Sequence, residues 1–268
     1  LFYNQSFLGV LGLLAWGLGY FGQPHIIVRF MAIRSSKELA QARRIGIGWM
    51  AIGLVGAMMS GLVGFVYYSG LNLPLADPEK VFLQLGETLF HPFFVGIIIS
   101  AVLSAIMSTI SSQLLVSASS VTQDFVFAFY KKEISQKAQV AAGRYAVVAV
   151  ALVATALAFS FNESVLNVVG YAWAGFGASF GPVLLFSLYW RRMSALAALL
   201  GMITGGATVI AWIALGLSSY VYEILPGFAV SCVVIYLTSL YGDAIDKMSN
   251  EPNSATVQDE FEKMKTRL

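Results

Sequence analysis

The sequence predicts an all-α integral membrane protein of about seven transmembrane helices, on the strength of composition, apolar run length and the placement of basic residues. Hydrophobic residues make up 58% of the 268 and charged residues only 11%, against about 25% charged in ordinary soluble domains. Apolar stretches of membrane-crossing length recur along nearly the whole chain, and helices or closed barrels alone satisfy the backbone inside lipid. The net charge of +2, with no basic patch interleaved with aromatics, argues against a nucleic-acid partner. The single cysteine, Cys232, lies in an apolar run, excludes an internal disulfide framework and reads as a small core residue. Leu1 is not an initiator methionine, and neither a basic segment nor a small-residue cleavage site precedes the first span. The expectation is therefore a fragment that starts just ahead of a transmembrane helix, not a signal peptide.

Polar interruptions place the spans near residues 5–30, 45–68, 93–127, 141–161, 165–190, 195–216 and 224–242. The third exceeds the ~20 residues of one hydrocarbon crossing, so its end near Asp124 is expected to project past the bilayer. Between spans two and three, DPEKVFLQLGETLF (77–90) has helical spacing of polar and apolar residues and reads as a short surface helix. The chain thus divides into a transmembrane helical domain over 1–242 and a polar tail over 243–268. The tail holds Pro252 with several Asp, Glu and Lys residues and is expected to be solvated and partly disordered.

Charge orients the spans. Arg34, Lys37, Arg43 and Arg44 fall in one loop, Lys131, Lys132, Lys137 and Arg144 in the next but one, then Arg191 and Arg192, and Lys247, Lys263, Lys265 and Arg267 in the tail. These are 14 of the 16 basic residues, with Arg29 at the same end of its helix and Lys80 alone opposite. The positive-inside rule then puts the tail in the cytoplasm and the first residues outside.

The first span, LLAWGLGYFGQPHIIVRFM, is hydrophobic enough for a helix yet its middle resists one. Gly17, Gly19 and Gly22 each cost about 1 kcal/mol relative to alanine, and Pro24 costs about 3 kcal/mol. Pro24 also turns Gln23 away from helical angles. Discontinuous membrane helices offer half-helix ends and free carbonyls to solutes near the midplane. Trp16 and Tyr20, four apart, share the face leading into the break. Glycine-mediated packing, a proline kink and interfacial aromatics are the structural alternative, although Trp16 and Tyr20 lie well inside the run.

In the third span, SAIMSTISSQLLVSASS carries Ser104, Ser108, Thr109, Ser111 and Ser112. Ala105, Ser108 and Thr109 stand at i, i+3 and i+4 and share one face. Two hydroxyls and a carbonyl supply part of the oxygen shell that a small hard cation needs. Close helix packing and hydrogen bonds back to the helix's own carbonyls are the alternative, which spacing alone favours.

His25 and Arg29 sit at i and i+4 at the inner end of the broken helix, as anchors. His91 before Pro92 marks the start of the third span. Glu163 and Glu223 fall in short outer loops, where solvation accounts for them. Gly177 with Gly181, and Gly201 with Gly205, are small-xxx-small pairs expected at helix contacts. No HExxH, GxSxG or pair of buried aspartates is present, so enzyme chemistry has no candidate residues.

WGLGYFGQPHIIVRFMA (16–32) with ARRI (42–45), SAIMSTISSQLLVSASSVTQD (104–124) and YAWAGFGASFGPVLLFSLYWRRM (171–193) resemble the solute:sodium symporter family, in its proline-carrying branch. The resemblance runs from the first residues to about Gly242. It implies a LeuT-like fold, of which this chain holds the second inverted repeat, near 1–190, plus two further helices, and lacks the N-terminal first repeat. It implies that Trp16, Tyr20 and Pro24, with Gly19 and Gly22, form a substrate site for proline. Ser108, Thr109 and the Ala105 carbonyl are implied as sodium ligands, the remaining ligands coming from the missing N-terminal repeat. The implied activity is sodium-coupled proline uptake across the cytoplasmic membrane by alternating access, with sodium the co-transported ion and membrane lipid the surroundings. A sodium symporter for another small solute, an ion channel and a non-transporting scaffold are the alternatives. A channel calls for a continuous polar stripe through several spans, which is lacking; a scaffold needs no broken helix.

Overall fold

The computed structural model describes residues 6–71, 77–127, 135–160 and 164–249. The described residues are helical apart from short connections, and none of them forms a strand. The helices are α1 (Phe7–Gly19), α2 (Pro24–Met31), α3 (Ser36–Gly70), α4 (Val81–Leu89), α5 (Pro92–Ser119), α6 (Gln136–Ser160), α7 (Val165–Tyr189), α8 (Ala195–Ala214) and α9 (Ile224–Ser249). Six of them, α3 and α5 to α9, are long and apolar enough to cross a membrane, and Phe7–Gly22 forms a shorter apolar helix. Together with α2, that shorter segment fills the place of the first predicted span.

Several boundaries differ from the expected ones. α3 starts at Ser36, about nine residues before the apolar run, because SKELAQARR has strong helix formers and an early Glu38 suited to a helix N-terminus. α5 winds on past the hydrocarbon length and passes into π-helical turns over Ser120–Phe127, so the projecting end expected near Asp124 is helical. α9 continues to Ser249, beyond the expected end at 242. Helical order thus follows propensity past the point where hydrophobicity stops. Residues 250–268, most of the expected tail, lie outside the described residues, as does Glu163.

The chain divides into two compact units, residues 1–32 with 159–268 and residues 33–158. In the first, α7, α8 and α9 pack on one another and α1 packs on α7 and α9. Small residues make this possible. A side chain at Gly205 would run into the Ala178 carbonyl, and one at Gly201 into Ile235. One at Gly181 would stand 2.7 Å from Phe228, and one at Gly177 2.8 Å from the Cα of Gly19. Both glycine pairs therefore sit at helix contacts. Ser231 donates from α9 to the Gly201 carbonyl of α8 at 2.9 Å, and Ala174, Ala178, Ala197, Ile224 and Ile235 are fully buried.

In the second unit α4 lies against α3 and α5. Val81 fills the space above Gly64, Ile98 approaches Gly86, and the Tyr68 and Thr88 hydroxyls meet at 3.3 Å. The expected surface helix over 77–90 is present as a short 3-10 turn, Pro78–Lys80, followed by α4. Asp77 caps it, accepting from the Glu79 amide at 3.0 Å and pairing with Lys80 at 2.9 Å. His91 caps α5 through Nδ1, which accepts from the Phe93 amide.

Candidate solute and cation sites

The first span is broken where glycine and proline predict it. α1 ends at Gly19, a 3-10 turn covers Tyr20–Gly22, Gln23 is extended at φ −84° and ψ 110°, and Pro24 opens α2. Proline suits that first helical position because its missing N–H would be unpaired there anyway. The Gln23 carbonyl accepts from the Ile26 and Ile27 amides, both at 3.0 Å, and so starts the new helix. Gln23 itself is 5% exposed and its Nε2 has no hydrogen-bond partner. Pro24 and His25 are half-buried.

The break is held from α7. Gly22 is buried, and any side chain there would strike the Phe176 carbonyl and come within 2.6 Å of the Gly177 Cα. A side chain at Gly19 would occupy the place of the Trp173 indole. These two glycines are therefore required for α7 to approach; Gly17 has open space around it.

Trp16 and Tyr20 do share a face, and both meet Trp173. The Trp16 ring stacks on both Trp173 and Tyr222, each at a centroid distance of 5.8 Å, with interplanar angles of 29° and 15°. Tyr20 meets Trp173 edge-on at 4.9 Å and 86°. Trp173 Nε1 donates to the Trp16 carbonyl at 2.9 Å, and the Tyr222 hydroxyl donates to the Gly170 carbonyl at 2.9 Å. Burial, and then the neighbouring Glu223 carboxyl, push the Tyr222 phenol well above its ordinary pKa, so it remains a donor. Tyr20 is the open member of the group, 47% exposed.

Glu223 corrects an expectation. It is 2% exposed rather than solvated. The segment before α9 turns inward: Tyr222 lies on Trp16, and Trp212 Nε1 donates to the Val221 carbonyl at 3.0 Å, so the residue that follows is enclosed. A loop glutamate's burial depends on those long-range contacts, which spacing does not reveal. Cys232 is free and half-buried, less enclosed than a core residue.

In the second unit, Ser108 Oγ and Thr109 Oγ1 both donate to the Ala105 carbonyl, at 2.8 and 3.2 Å. Three oxygens thus converge; the two hydroxyl oxygens, which donate here, keep lone pairs for a further partner, while the carbonyl already accepts from both. Four of the helix's other hydroxyls also fold back: Ser100 on Gly96, Ser104 on Ser100, Ser111 on Met107 and Ser112 on Ser108. Two hydroxyls on one carbonyl occur in α5 only at Ala105 among the described residues. All three residues of this cluster are exposed. No group of three or more His, Cys, Asp or Glu side chains suited to a metal occurs among the described residues. A hard monovalent cation held by neutral oxygens is the chemistry that the cluster fits.

The sequence left Trp173 and Tyr222 without a role, although Trp173 lies in the glycine-rich YAWAGFGASFGP. An indole among small residues on one helix was the available signal, because glycines there let another backbone approach.

Residues 3–205 match the sodium:solute symporter family. The chain is 54% identical over 244 residues, 91% of its length, to the "High-affinity proline transporter PutP" of Bacillus subtilis, covering 52% of that protein. It is 48% identical to the "Osmoregulated proline transporter OpuE" of the same organism, over 90% of this chain and 49% of the relative. It is also 47% identical to the "Sodium/proline symporter" of Staphylococcus aureus, over 89% of this chain and 49% of the relative. The chain therefore spans about half the length of the curated relatives it matches. No solved structure matches it. The match over most of its length, with its multi-pass helical architecture, places the chain in the sodium:solute symporter family, a family of transporters and not of enzymes.

Proposed function

We propose that this chain forms part of a sodium-coupled proline symporter. The observation that carries the proposal is the interrupted first span, whose break presents the half-exposed Tyr20 ring beside Pro24. Its support is the identity of about half to relatives named as proline transporters. In this proposal Trp16, Tyr20, Pro24, Gly19 and Gly22 belong to the solute site. Aromatic surface suits a pyrrolidine ring, and the break's polar backbone suits its charged end. The Ala105 carbonyl, Ser108 and Thr109 supply part of a sodium shell, completed by ligands from an N-terminal repeat of a LeuT-like fold. Sodium binding favours the outward-facing form, proline favours occlusion, and the sodium gradient drives uptake across the cytoplasmic membrane. The basic residues gathered at one end of the spans put the C-terminus in the cytoplasm.

The test replaces the matched region of the Bacillus subtilis PutP relative by this chain and measures uptake in cells lacking other proline carriers. Sodium-dependent accumulation of proline is expected. Uptake that follows the proton gradient and ignores sodium overturns the coupling ion, and sodium-dependent uptake of another solute with none of proline overturns the substrate.

A further inference from the structure

Trp173 touches the break in the first span in three ways. Its indole N–H donates to the Trp16 carbonyl at 2.9 Å, one turn ahead of the point where the helix gives out. Its ring fills the space that a side chain at Gly19 would take. Its ring stands nearly perpendicular to the Tyr20 ring, with centroids 4.9 Å apart. The indole is itself well held, since Ala174 and Ala178 on the same helix are fully buried.

We propose that Trp173 is a positioning residue of the solute site: it holds the segment from Gly17 to Gln23 in its broken form and fixes the orientation of Tyr20. The proposal rests on that segment being the solute site. Its physical basis is the weakness of the segment alone. Three glycines and a proline leave it little helical preference, so a defined shape must come from outside. Trp173 supplies a hydrogen bond to a carbonyl near the end of the ladder, a packing surface that only glycine accommodates, and an edge-to-face contact of the kind aromatic pairs prefer. A site placed by a side chain on a packed helix keeps its geometry better than one left to a loop.

The same arrangement divides the two aromatic candidates. Trp16 stacks on both Trp173 and Tyr222 and is half-buried, whereas Tyr20 is 47% exposed. Tyr20 is the ring left to meet the solute, and Trp16 acts through its carbonyl and its place in the stack.

Trp173→Phe removes the N–H and keeps an aromatic ring. Trp190→Phe is the control, because the Trp190 Nε1 is also buried but bonds nothing. Hydrogen–deuterium exchange on the purified chain reads the positioning directly. Trp173→Phe is expected to speed exchange of the amides in 17–23 by about three- to tenfold, the range set by losing one hydrogen bond, with α8 unchanged. In the chimera, the KM for proline is expected to rise by a similar factor, with maximal rate and membrane abundance within about twofold. Trp190→Phe changes neither reading. Unchanged exchange in 17–23 overturns the proposal, and faster exchange with an unaltered proline KM reduces Trp173 to a fold contact and overturns its part in the site. If the chimera carries no proline, the functional reading fails on its own account, and the exchange measurement still decides whether Trp173 holds the break.

Discussion

The two units are built from the same apolar alphabet and use it differently. In the first, about a third of the apolar window of α7 is buried; in the second, none of that of α5 is. Serine shows the contrast most plainly. Ser231 of α9 reaches across to the Gly201 carbonyl of α8, whereas the five bonded hydroxyls of α5 nearest its middle turn back on their own helix. Glycine shows it again. Gly19, Gly22, Gly177, Gly181, Gly201 and Gly205 are all pressed against a neighbour, while Gly46, Gly48, Gly53, Gly56 and Gly61 of α3 have nothing within 4 Å. Composition decides that a segment enters a membrane; whether its small residues make contacts depends on which face meets another helix.

The sharpest way to break this contrast is a methyl group at Gly22. The Phe176 carbonyl and Gly177 backbone stand in its way, and backbone does not yield as a flexible side chain does. Gly22→Ala is expected to lose about 3 kcal/mol or more of stability in detergent, read as folded yield and thermal unfolding. Gly17→Ala, five residues away in open space, is expected to be neutral or stabilising. Comparable losses for both would show that the segment is not packed as described.

Next in size is Tyr20→Ala in the chimera, expected to weaken proline binding about tenfold, roughly 1.4 kcal/mol. With 47% of the residue exposed, thermal stability should barely move. Equal proline affinity in variant and parent removes Tyr20 from the site. Ser231→Ala is expected to cost about 1 kcal/mol through the lost bond between helices. Gly53→Ala and Ser100→Ala, in the open unit, are expected to stay within about 0.5 kcal/mol. A loss at Ser100 as large as that at Ser231 would erase the distinction between the units.

Much of this was legible in the sequence because local chemistry dictates it. Glycine and proline weaken a helical ladder, so the break could be placed between about Gly17 and Pro24; it lies over Tyr20–Gln23, with α1 helical through Gly19. The i, i+3, i+4 spacing of Ala105, Ser108 and Thr109 sets their convergence, since a helix fixes those relations. The glycine pairs announced their contacts. What stayed hidden depends on long-range contact. Trp173 finds the Trp16 carbonyl from 157 residues away, and Tyr222 stacks on the Trp16 ring. Glu223 is buried by the same inward turn. The extensions of α3 and α9 were missed for another reason: the hydrophobic run marks the hydrocarbon, not the end of the helix.

The proposal's centre is that the break in one unit and the hydroxyl cluster in the other serve one coupled process. Linkage makes that testable, since a residue that weakens sodium binding must weaken proline binding at fixed sodium by the same coupling. The measurement is proline affinity of the chimera, with and without the Ser108→Ala, Thr109→Ala pair, across a range of sodium concentrations. Alanine keeps the helix and removes both hydroxyl oxygens. The expected result is a proline affinity reduced about tenfold at low sodium and largely restored at high sodium. A defect of constant size at every sodium concentration would contradict it, leaving the two hydroxyls as ordinary packing groups of a membrane helix.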